Sequence, residues 1–243
     1  MQASSPNSAR SRLSDCVLVI MAKAVRPGAV KTRLADCLPP LAITGLYRCF
    51  LEDTVALAQS LDGVETAIMT PAADVEDLSR LAGDGVQVVA QTGQGLGAGL
   101  TSVFAHFATP ERRRIVAFNS DSPHLPPAAL RLAFDALHSC DLVVGPTHDG
   151  GYYLVGGTAS HPGLFVGNSM GTNSALQALL ACAHELGLLV RSIHAFYDID
   201  VPADLSRLAE ELRLAPERAP RTAKWLREWA RTGAQAAATG LGL

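Results

Sequence analysis

Several features that would assign a chain of this size to a familiar functional class are absent from the sequence. The five cysteines lie far apart, without a C-x-x-C pair or a histidine at ligand spacing, which argues against a zinc site and a disulfide framework. No block of five like charges occurs, so neither a nucleic-acid surface nor an acidic tail is indicated. No stretch approaches the roughly 20 apolar residues that cross a bilayer, and the run Val17–Met21 is too short for a secretion signal. We expect a protein of the reducing cytoplasm with no nucleic-acid or membrane partner.

The composition is that of one large folded domain. Apolar residues make up 48% of the 243 residues and charged residues 18%, which excludes disordered and low-complexity proteins. Because α/β folds commonly run to about 200–250 residues as one domain, a single domain is predicted over residues 16–232. The polar, Ser-rich residues 1–15 are predicted to be a disordered segment, and the Gly/Ala-rich residues 233–243 a flexible tail.

Short apolar runs rich in β-branched residues alternate with helical patterns. The runs are Val17–Met21, Thr66–Met69, Val86–Ala90, Ile115–Phe118 and Leu142–Gly145. Because they mostly lack polar alternation, they are predicted to be strands of a parallel sheet that is buried on both faces. Strands alternating with helices predict an α/β fold, a single Rossmann-like domain with a mostly parallel sheet and helices on both faces.

Three later segments depart from this rhythm. Gly150–Gly157 is predicted to be a Gly-flanked strand and Tyr197–Val201 a short strand with two acids. An amphipathic helix that carries Trp225 and Trp229 forms a C-terminal helical extension. The two tryptophans are expected to pack on the core; the alternative is that they pack on a second copy and form a homodimer.

The segment after the first strand is a candidate phosphate-binding loop. Four cations surround a Pro-Gly turn where the carboxyl end of a strand is expected, which is where open α/β sheets bind ligands. Glycine lets backbone N–H groups approach an anion, and Lys and Arg supply the charge. Neither a Walker A loop nor G-x-G-x-x-G is present, and a solvated basic loop is the alternative. The candidates are Lys23, Arg26, Gly28, Lys31 and Arg33.

Three aspartates are candidate metal ligands. Asp121 follows the fourth strand, where its carboxylate can ligate a hard cation such as Mg²⁺ or Mn²⁺ between diphosphate oxygens. Alternation puts Asp198 and Asp200 on one face of the predicted short strand, from which one or both can complete the site. The alternative for all three is a turn or helix-capping role.

Two glycine-containing segments are candidates for contact with substrate. In the first, Asp149 precedes paired glycines and is a candidate general base or anchor for an acceptor hydroxyl; a plain turn is the alternative. The second follows the third strand and suits a nucleotide base or ribose, or is a mobile loop. The remaining candidates are Gly150, Gly151 and Tyr152 in the first segment and Gln91, Gly93 and Gly97 in the second.

With these motifs the chain resembles a bacterial GT-A-type family, long catalogued as a domain of unknown function and often described as arsenosugar-biosynthesis glycosyltransferases. The matches are M-A-K-A-V-R-P-G-A-V-K-T-R-L (21–34), Q-T-G-Q-G-L-G (91–97), N-S-D-S-P-H-L-P (119–126), D-G-G-Y-Y-L-V-G (149–156), M-G-T-N-S-A-L (170–176) and D-I-D-V-P-A-D-L (198–205). The sequence departs from the family pattern at Gly99, where Arg is expected.

The resemblance implies a nucleotide-diphospho-sugar transferase fold, which is shared with guanylyltransferases. It implies that the loop after the first strand holds phosphates, that Asp121 carries the metal with Asp198 or Asp200 as distal ligand, and that the D-G-G segment faces the second substrate. Thr172, in the M-G-T-N motif, is placed on the substrate side by the same resemblance.

The leading hypothesis is therefore a Mg²⁺- or Mn²⁺-dependent glycosyltransferase that uses a nucleotide-diphosphate sugar and a small-molecule acceptor. The first alternative is a nucleotidyltransferase, in which an acceptor phosphate attacks a nucleoside triphosphate and expels pyrophosphate. The second is a catalytically silent nucleotide-binding protein.

Overall fold

The computed structural model describes residues 15–110, 114–166 and 174–239, with side chains to residue 232 in the last range. Residues 1–14 of the segment predicted to be disordered lie outside this part. The strands are β1 (Cys16–Met21), β2 (Glu65–Thr70), β3 (Val86–Ala90), β4 (Arg114–Asn119), β5 (Leu142–Pro146), β6 (Tyr152–Gly157) and β7 (Val190–Ser192). The α-helices are α1 (Pro40–Gln59), α2 (Val75–Ala82), α3 (Gly95–Phe107), α4 (Pro127–Ala136), α5 (Ala175–Glu185), α6 (Pro202–Leu214) and α7 (Pro220–Thr239).

The seven strands form one sheet in the order β3-β2-β1-β4-β6-β5-β7. The pairs β1–β2, β2–β3, β1–β4 and β5–β7 are parallel, while β6 runs antiparallel to both β4 and β5. The predicted α/β fold with a mostly parallel sheet is confirmed. The antiparallel β6 forms a hairpin with β5, so that the Asp149 turn lies beside the carboxyl end of β4.

The sheet is buried on both faces, as the unbroken apolar runs predict. In β1, Leu18 and Ile20 pack with residues of α1, α2 and α4, whereas Val17 and Val19 pack with residues of α3 and α5 on the opposite face. All four side chains are completely buried. Burial on both sides explains why β-branched and aliphatic residues occupy successive positions in this strand.

The predicted strand at Tyr197–Val201 is wrong, because this segment pairs with no strand in the described part of the chain. The edge of the sheet is taken instead by β7, and the only bridge here joins Phe196 to Thr147 among the residues described. The backbone N–H of Ile199 donates to the carbonyl oxygen of Asp121 at 3.0 Å. The alternation itself is real, since Tyr197 and Ile199 are buried while the two acids between and after them are half-exposed.

The C-terminal helices pack against the outer face of α1, which confirms the predicted helical extension. Trp225 lies over Gly45, where a Cβ atom would be 3.1 Å from the indole nitrogen, and the rings of Trp225 and Trp229 stack 5.4 Å apart. Both tryptophans pack on a buried cluster of α1, α6 and α7, in agreement with the expected core packing. Helix α7 continues to Thr239, past the predicted boundary at residue 232.

A buried carboxylate on α1 caps the start of α7. Asp53, whose side chain is 1% exposed, accepts hydrogen bonds from the backbone N–H groups of Arg221 (3.2 Å) and Thr222 (2.8 Å). These N–H groups belong to the first turn of α7, where a helix has no internal acceptors for them. Asp53 thereby satisfies one buried and one partly buried donor and places a negative charge at the positive end of the helix dipole.

His124 is enclosed by aromatic rings beneath the loop that carries Asp121. Its ring lies 4.8 Å from that of Phe196 and 4.7 Å from that of Tyr197, and neither ring nitrogen has a hydrogen-bond partner among the described residues. Burial, assisted by the charge of Arg218, lowers the pKa of His124 to about 3. The imidazole is therefore neutral at ordinary pH, although the carboxylate of Glu211 lies 3.8 Å from Nε2.

Candidate functional site

The predicted motifs meet around one cavity of about 850 Å³ at the carboxyl ends of β1, β2 and β4. The loop after β1, the segment after β3, the Asp121 segment and the turn before β6 form its walls, as the rule for open α/β sheets predicts. From the predicted set, the lining residues are Lys23, Lys31, Arg33, Gln91, Gly93, Asp121, Asp149, Gly151, Tyr152, Asp198 and Asp200. Residue Thr172 lies outside the described part of the chain.

An ammonium group lies between two of the predicted metal ligands. Lys31 Nζ is 2.7 Å from Asp200 Oδ1 and 3.0 Å from Asp121 Oδ1, and the lysine side chain is only 5% exposed. Burial is the largest influence on the pKa of Lys31 and lowers it, but the two carboxylates together outweigh it and raise that pKa. The carboxylates of Asp121 and Asp200 thus converge on a single position for a cation.

Backbone hydrogen bonds fix the two acidic segments relative to each other. The Ile199-to-Asp121 bond joins them directly, and Asp204 Oδ2 accepts the N–H groups of Asp200 (3.0 Å) and Val201 (2.9 Å) at the start of α6. The first of these contacts crosses from one segment to the other, so the spacing between Asp121 and Asp200 is set by the main chain. A site held in this way is preorganised for a cation.

Asp198 lies in the same cavity but makes no ion pair with Lys31 among the described contacts. Burial and the neighbouring charges of Asp200 and Asp121 raise the pKa of Asp198 to about 6, although Lys31 opposes the shift. Within the described residues, no group of three or more His, Cys, Asp or Glu side chains is arranged to hold a metal ion. Two convergent carboxylates are nevertheless a suitable protein contribution for Mg²⁺, which often binds through one or two carboxylates together with substrate phosphates.

The predicted phosphate loop is only partly turned toward the cavity. Lys23, Lys31 and Arg33 line it, but Arg26 and Gly28 do not. The guanidinium of Arg26 is bound instead to three groups on the far side of the loop, namely the carboxylates of Asp74 (2.6 Å) and Asp77 (2.7 Å) and the carbonyl oxygen of Ala73 (2.9 Å). Arg26 therefore anchors the loop in this structure, and its expected phosphate contact stays a prediction.

The Gly-rich segment after β3 leads into the first turn of α3. Gln91 and Gly93 line the cavity, while Gly97 lies in the helix away from it. Gln91 Nε2 donates to the carbonyl oxygen of Gly93 at 3.1 Å and so braces the loop. A Cβ atom at Gly99 would lie 2.8 Å from both Gln91 Oε1 and Met21 Cε, so these side chains fill the space at the position where the family resemblance leads us to expect Arg.

The turn before β6 holds Asp149 in a fixed and ionised state. Its Oδ1 accepts hydrogen bonds from Thr147 Oγ1 (2.5 Å) and from the backbone N–H of Gly151 (3.2 Å). The bond from Thr147 is the main cause that lowers the pKa of Asp149, against the opposing effect of burial. A carboxylate with a lowered pKa is a weak base, so this geometry suits an anchor for a hydroxyl better than a strong general base. Gly150 lies in the turn but not on the cavity wall.

Some residues that line the cavity have no sequence feature that predicts a functional role, and Tyr47 is an example. Tyr47 belongs to the buried face of α1, yet its hydroxyl lies 3.0 Å from Ser120 Oγ and accepts a hydrogen bond from the backbone N–H of Lys23 at 3.4 Å. Burial, together with the charge of Asp121, raises the pKa of Tyr47 to about 12. Because helical periodicity assigns Tyr47 to the core, only the fold reveals that it joins the floor of the site.

Similarity to known proteins agrees with this geometry. Residues 54–172 match the model of a family described as "Uncharacterized protein conserved in bacteria (DUF2064)". A solved protein from Desulfovibrio desulfuricans G20, named a "putative nucleotide-diphospho-sugar transferase", is similar to this chain with 27% identity and a TM-score of 0.81, over 88% of this chain and 95% of that one. No curated protein matches the chain in sequence.

More distant solved structures share the fold. A 4-diphosphocytidyl-2C-methyl-D-erythritol synthase from Anaerococcus prevotii has 9% identity and a TM-score of 0.55, over 84% of this chain and all of that one. A nucleotidyl transferase from Methanothermobacter has 20% identity and the same TM-score, over 82% of this chain and 99% of that one. The match of residues 54–172 to the DUF2064 model, and the similarity of the fold to that of the protein from Desulfovibrio desulfuricans G20, confirm the family resemblance of the sequence motifs.

Proposed function

We propose that this chain is a divalent-metal-dependent glycosyltransferase that moves a sugar from a nucleotide-diphosphate sugar to a small acceptor. The observation that carries the proposal is the cation position between Asp121 and Asp200, beside a cationic loop at the carboxyl edge of the sheet. The likeness to a nucleotide-diphospho-sugar transferase over most of both chains supports a transferase that acts on nucleotides.

Asp121 and Asp200 would hold Mg²⁺ or Mn²⁺, with Asp198 available beside them. Carboxylate oxygens are the ligands that such hard cations prefer. When bound, the metal would neutralise charge on the diphosphate as it leaves. Lys23 and Arg33, which line the same cavity, would contribute further positive charge toward the phosphate oxygens.

Asp149 would position the acceptor. Its Oδ1 is held by Thr147 and Gly151, so the carboxylate has a fixed direction and can accept a hydrogen bond from an acceptor hydroxyl. That hydroxyl oxygen would attack the anomeric carbon, the bond from this carbon to the diphosphate oxygen would break, and the nucleoside diphosphate would leave. The hydroxyl proton would pass to a carboxylate of the site.

Nucleotidyl transfer is the second candidate. The cavity cations Lys23, Lys31 and Arg33 suit a triphosphate as well as a diphosphate, and two solved transferases of cytidylyl and nucleotidyl groups share the fold. In this reaction an acceptor phosphate oxygen would attack the α-phosphorus, and pyrophosphate would be expelled. The same aspartates would hold the metal, so the two candidates differ in the bond that breaks.

One experiment separates the candidates. Purified protein is incubated with Mg²⁺ or Mn²⁺ and a bacterial metabolite extract, once with a pool of nucleotide sugars and once with a pool of nucleoside triphosphates. Metal-dependent release of nucleoside diphosphate from one sugar nucleotide supports glycosyl transfer. Release of pyrophosphate from one triphosphate would replace it with nucleotidyl transfer.

A silent nucleotide-binding protein is tested with Asp121→Ala. An enzyme of either kind loses turnover in this variant, whereas a metal-independent binding protein keeps its nucleotide affinity and shows no turnover before or after the change.

The described helices include none that is long and apolar enough to span a membrane. The five cysteines of the chain are free thiols, which fits the proposed place of action in the reducing cytoplasm.

A further inference from the structure

The ammonium of Lys31 lies where the proposed site needs its metal. It is within hydrogen-bonding distance of both carboxylates that converge there, at 2.7 Å from Asp200 and 3.0 Å from Asp121. A metal ion bound by the same two oxygens would lie about 2.1 Å from each of them. A metal at this position would overlap the ammonium group, and the two like charges would repel each other, so only one of the two cations can occupy it.

The side chain of Lys31 is buried at this position and does not lie on the protein surface. Its side chain is 5% exposed, so the charge is removed from water and depends on the two carboxylates for its stabilisation. Its backbone has φ 49° and ψ 39°, and it is the one non-glycine residue with a positive φ in the described part of the chain. L-residues adopt this conformation at an energetic cost, which indicates that surrounding contacts hold Lys31 in place.

The ammonium group of Lys31 can also turn toward the part of the cavity that is expected to hold phosphate groups. Lys31 belongs to the stretch Ala29–Arg33 that lines the cavity, and its four-carbon stem can redirect the ammonium without movement of the main chain. When a metal takes the carboxylates, the displaced ammonium faces the space expected for phosphate groups. Without a phosphate ligand, the displaced ammonium gains no anionic partner there.

We propose that Lys31 is a built-in competitor of the divalent metal, a tethered cation that neutralises Asp121 and Asp200 until the metal displaces it. The inference rests on the proposed function only for the location of the metal. Without a phosphate ligand, a metal ion must break the ion pairs of the buried Lys31 with Asp121 and Asp200, and it therefore binds weakly. A ligand phosphate that receives the displaced ammonium strengthens metal binding, and by linkage the metal strengthens phosphate binding equally.

The test measures Mn²⁺ binding to the ligand-free protein from the signal of free Mn²⁺ in electron paramagnetic resonance. Lys31→Met removes the competing charge and keeps an unbranched side chain that is shorter by one atom. Its matched control is Lys23→Met, which removes one positive charge from the same cavity without touching either aspartate. We expect Lys31→Met to bind Mn²⁺ at least tenfold more tightly than the wild type, and Lys23→Met to stay within threefold of it.

A second measurement tests whether the gain in Mn²⁺ affinity depends on the two carboxylates. Adding Asp200→Asn to Lys31→Met should remove the gain, since it deletes one of the two carboxylates. Lys31→Met should also melt at a lower temperature than the wild type in EDTA and recover with Mn²⁺, whereas the wild type should change little. If circular dichroism shows that Lys31→Met does not fold, Lys31→Gln repeats the measurement with a neutral side chain that can still donate to Asp200.

Unchanged or weaker Mn²⁺ affinity in the folded neutral variant would overturn the proposal, as would a gain that survives Asp200→Asn. None of these measurements requires turnover. A chain that forms no product can still show the competition, and an active enzyme can fail to show it, so this inference and the proposed function stand or fall separately.

Discussion

His124 offers a sharp test of how burial controls protonation in this fold. The perturbation is His124→Phe, which keeps an aromatic ring between Phe196 and Tyr197 but removes the titratable nitrogens. Burial lowers the pKa of His124 from 6.5 to about 3, so below pH 6.5 the unfolded chain binds a proton here that the folded chain excludes. Stability contributed by the neutral histidine is therefore present above pH 6.5 and is lost as the pH falls toward 3.

The size of the effect follows from these two values. Between them the free energy of unfolding falls by about 1.4 kcal/mol for each pH unit, so at pH 5 the wild type has lost about 2 kcal/mol relative to pH 8 on account of this residue. Titrating groups that do not face His124 act equally in both proteins. The difference in stability between wild type and His124→Phe therefore reports the histidine together with its coupling to Glu211, whose carboxylate lies 3.8 Å from Nε2.

The assay is urea unfolding at pH 8, 7, 6 and 5, followed by tryptophan fluorescence. At pH 8 the variant should lie within about 1.5 kcal/mol of the wild type, since the swap is nearly volume-conserving. As the pH falls to 5, the variant should gain about 2 kcal/mol relative to the wild type. A difference that stays constant from pH 8 to pH 5 would refute the reasoning, because it would mean that His124 takes up its proton in the folded state.

Three further predictions address the site and its support. Asp121→Asn should lower the rate of product release at least about a hundredfold, measured as nucleoside diphosphate or pyrophosphate formed, because it removes one of the two convergent carboxylates; activity near wild type would exclude a role in metal binding. In calorimetric titrations with the nucleotide that supports turnover in the incubation proposed above, Arg33→Met should weaken binding about tenfold and Arg26→Met less than about threefold, since of these two only Arg33 lines the cavity. The reverse order would restore Arg26 as a phosphate ligand. Asp53→Ala should cost about 2–3 kcal/mol in urea unfolding, because it leaves two N–H groups at the start of α7 without acceptors; a loss below about 0.5 kcal/mol would show that water replaces the cap.

The sequence predicted the sheet because burial on both faces leaves a direct trace in the chain. Runs such as Val17–Met21 are apolar at every position, a pattern with few alternatives in a chain of this composition. The position of the site followed from the same trace, since loops after parallel strands meet at one edge. That reasoning brought Asp121 and Asp149 to one cavity although 28 positions separate them in the chain.

What the sequence did not predict depends on partners that are distant in the chain. Arg26 is a cation of the loop in the sequence, and only the fold shows that Asp74, 48 residues away, lies beside it. Tyr197–Val201 alternates like a strand, but its backbone finds the Asp121 carbonyl and the Asp204 carboxylate instead of a neighbouring strand. Local pattern sets which side chains share a face, whereas hydrogen-bond partners decide whether a strand forms.

The anchoring of Arg26 has a consequence for the thermodynamics of ligand capture. Because Asp74 also accepts the backbone N–H of Ala24, the loop after β1 is tied down at both side chain and main chain before any ligand arrives. A ligand that enters a loop already ordered does not lose affinity to the conformational entropy of ordering it. Binding at this edge of the sheet should therefore show the heat-capacity change of surface burial alone, without the larger change that accompanies the folding of a loop.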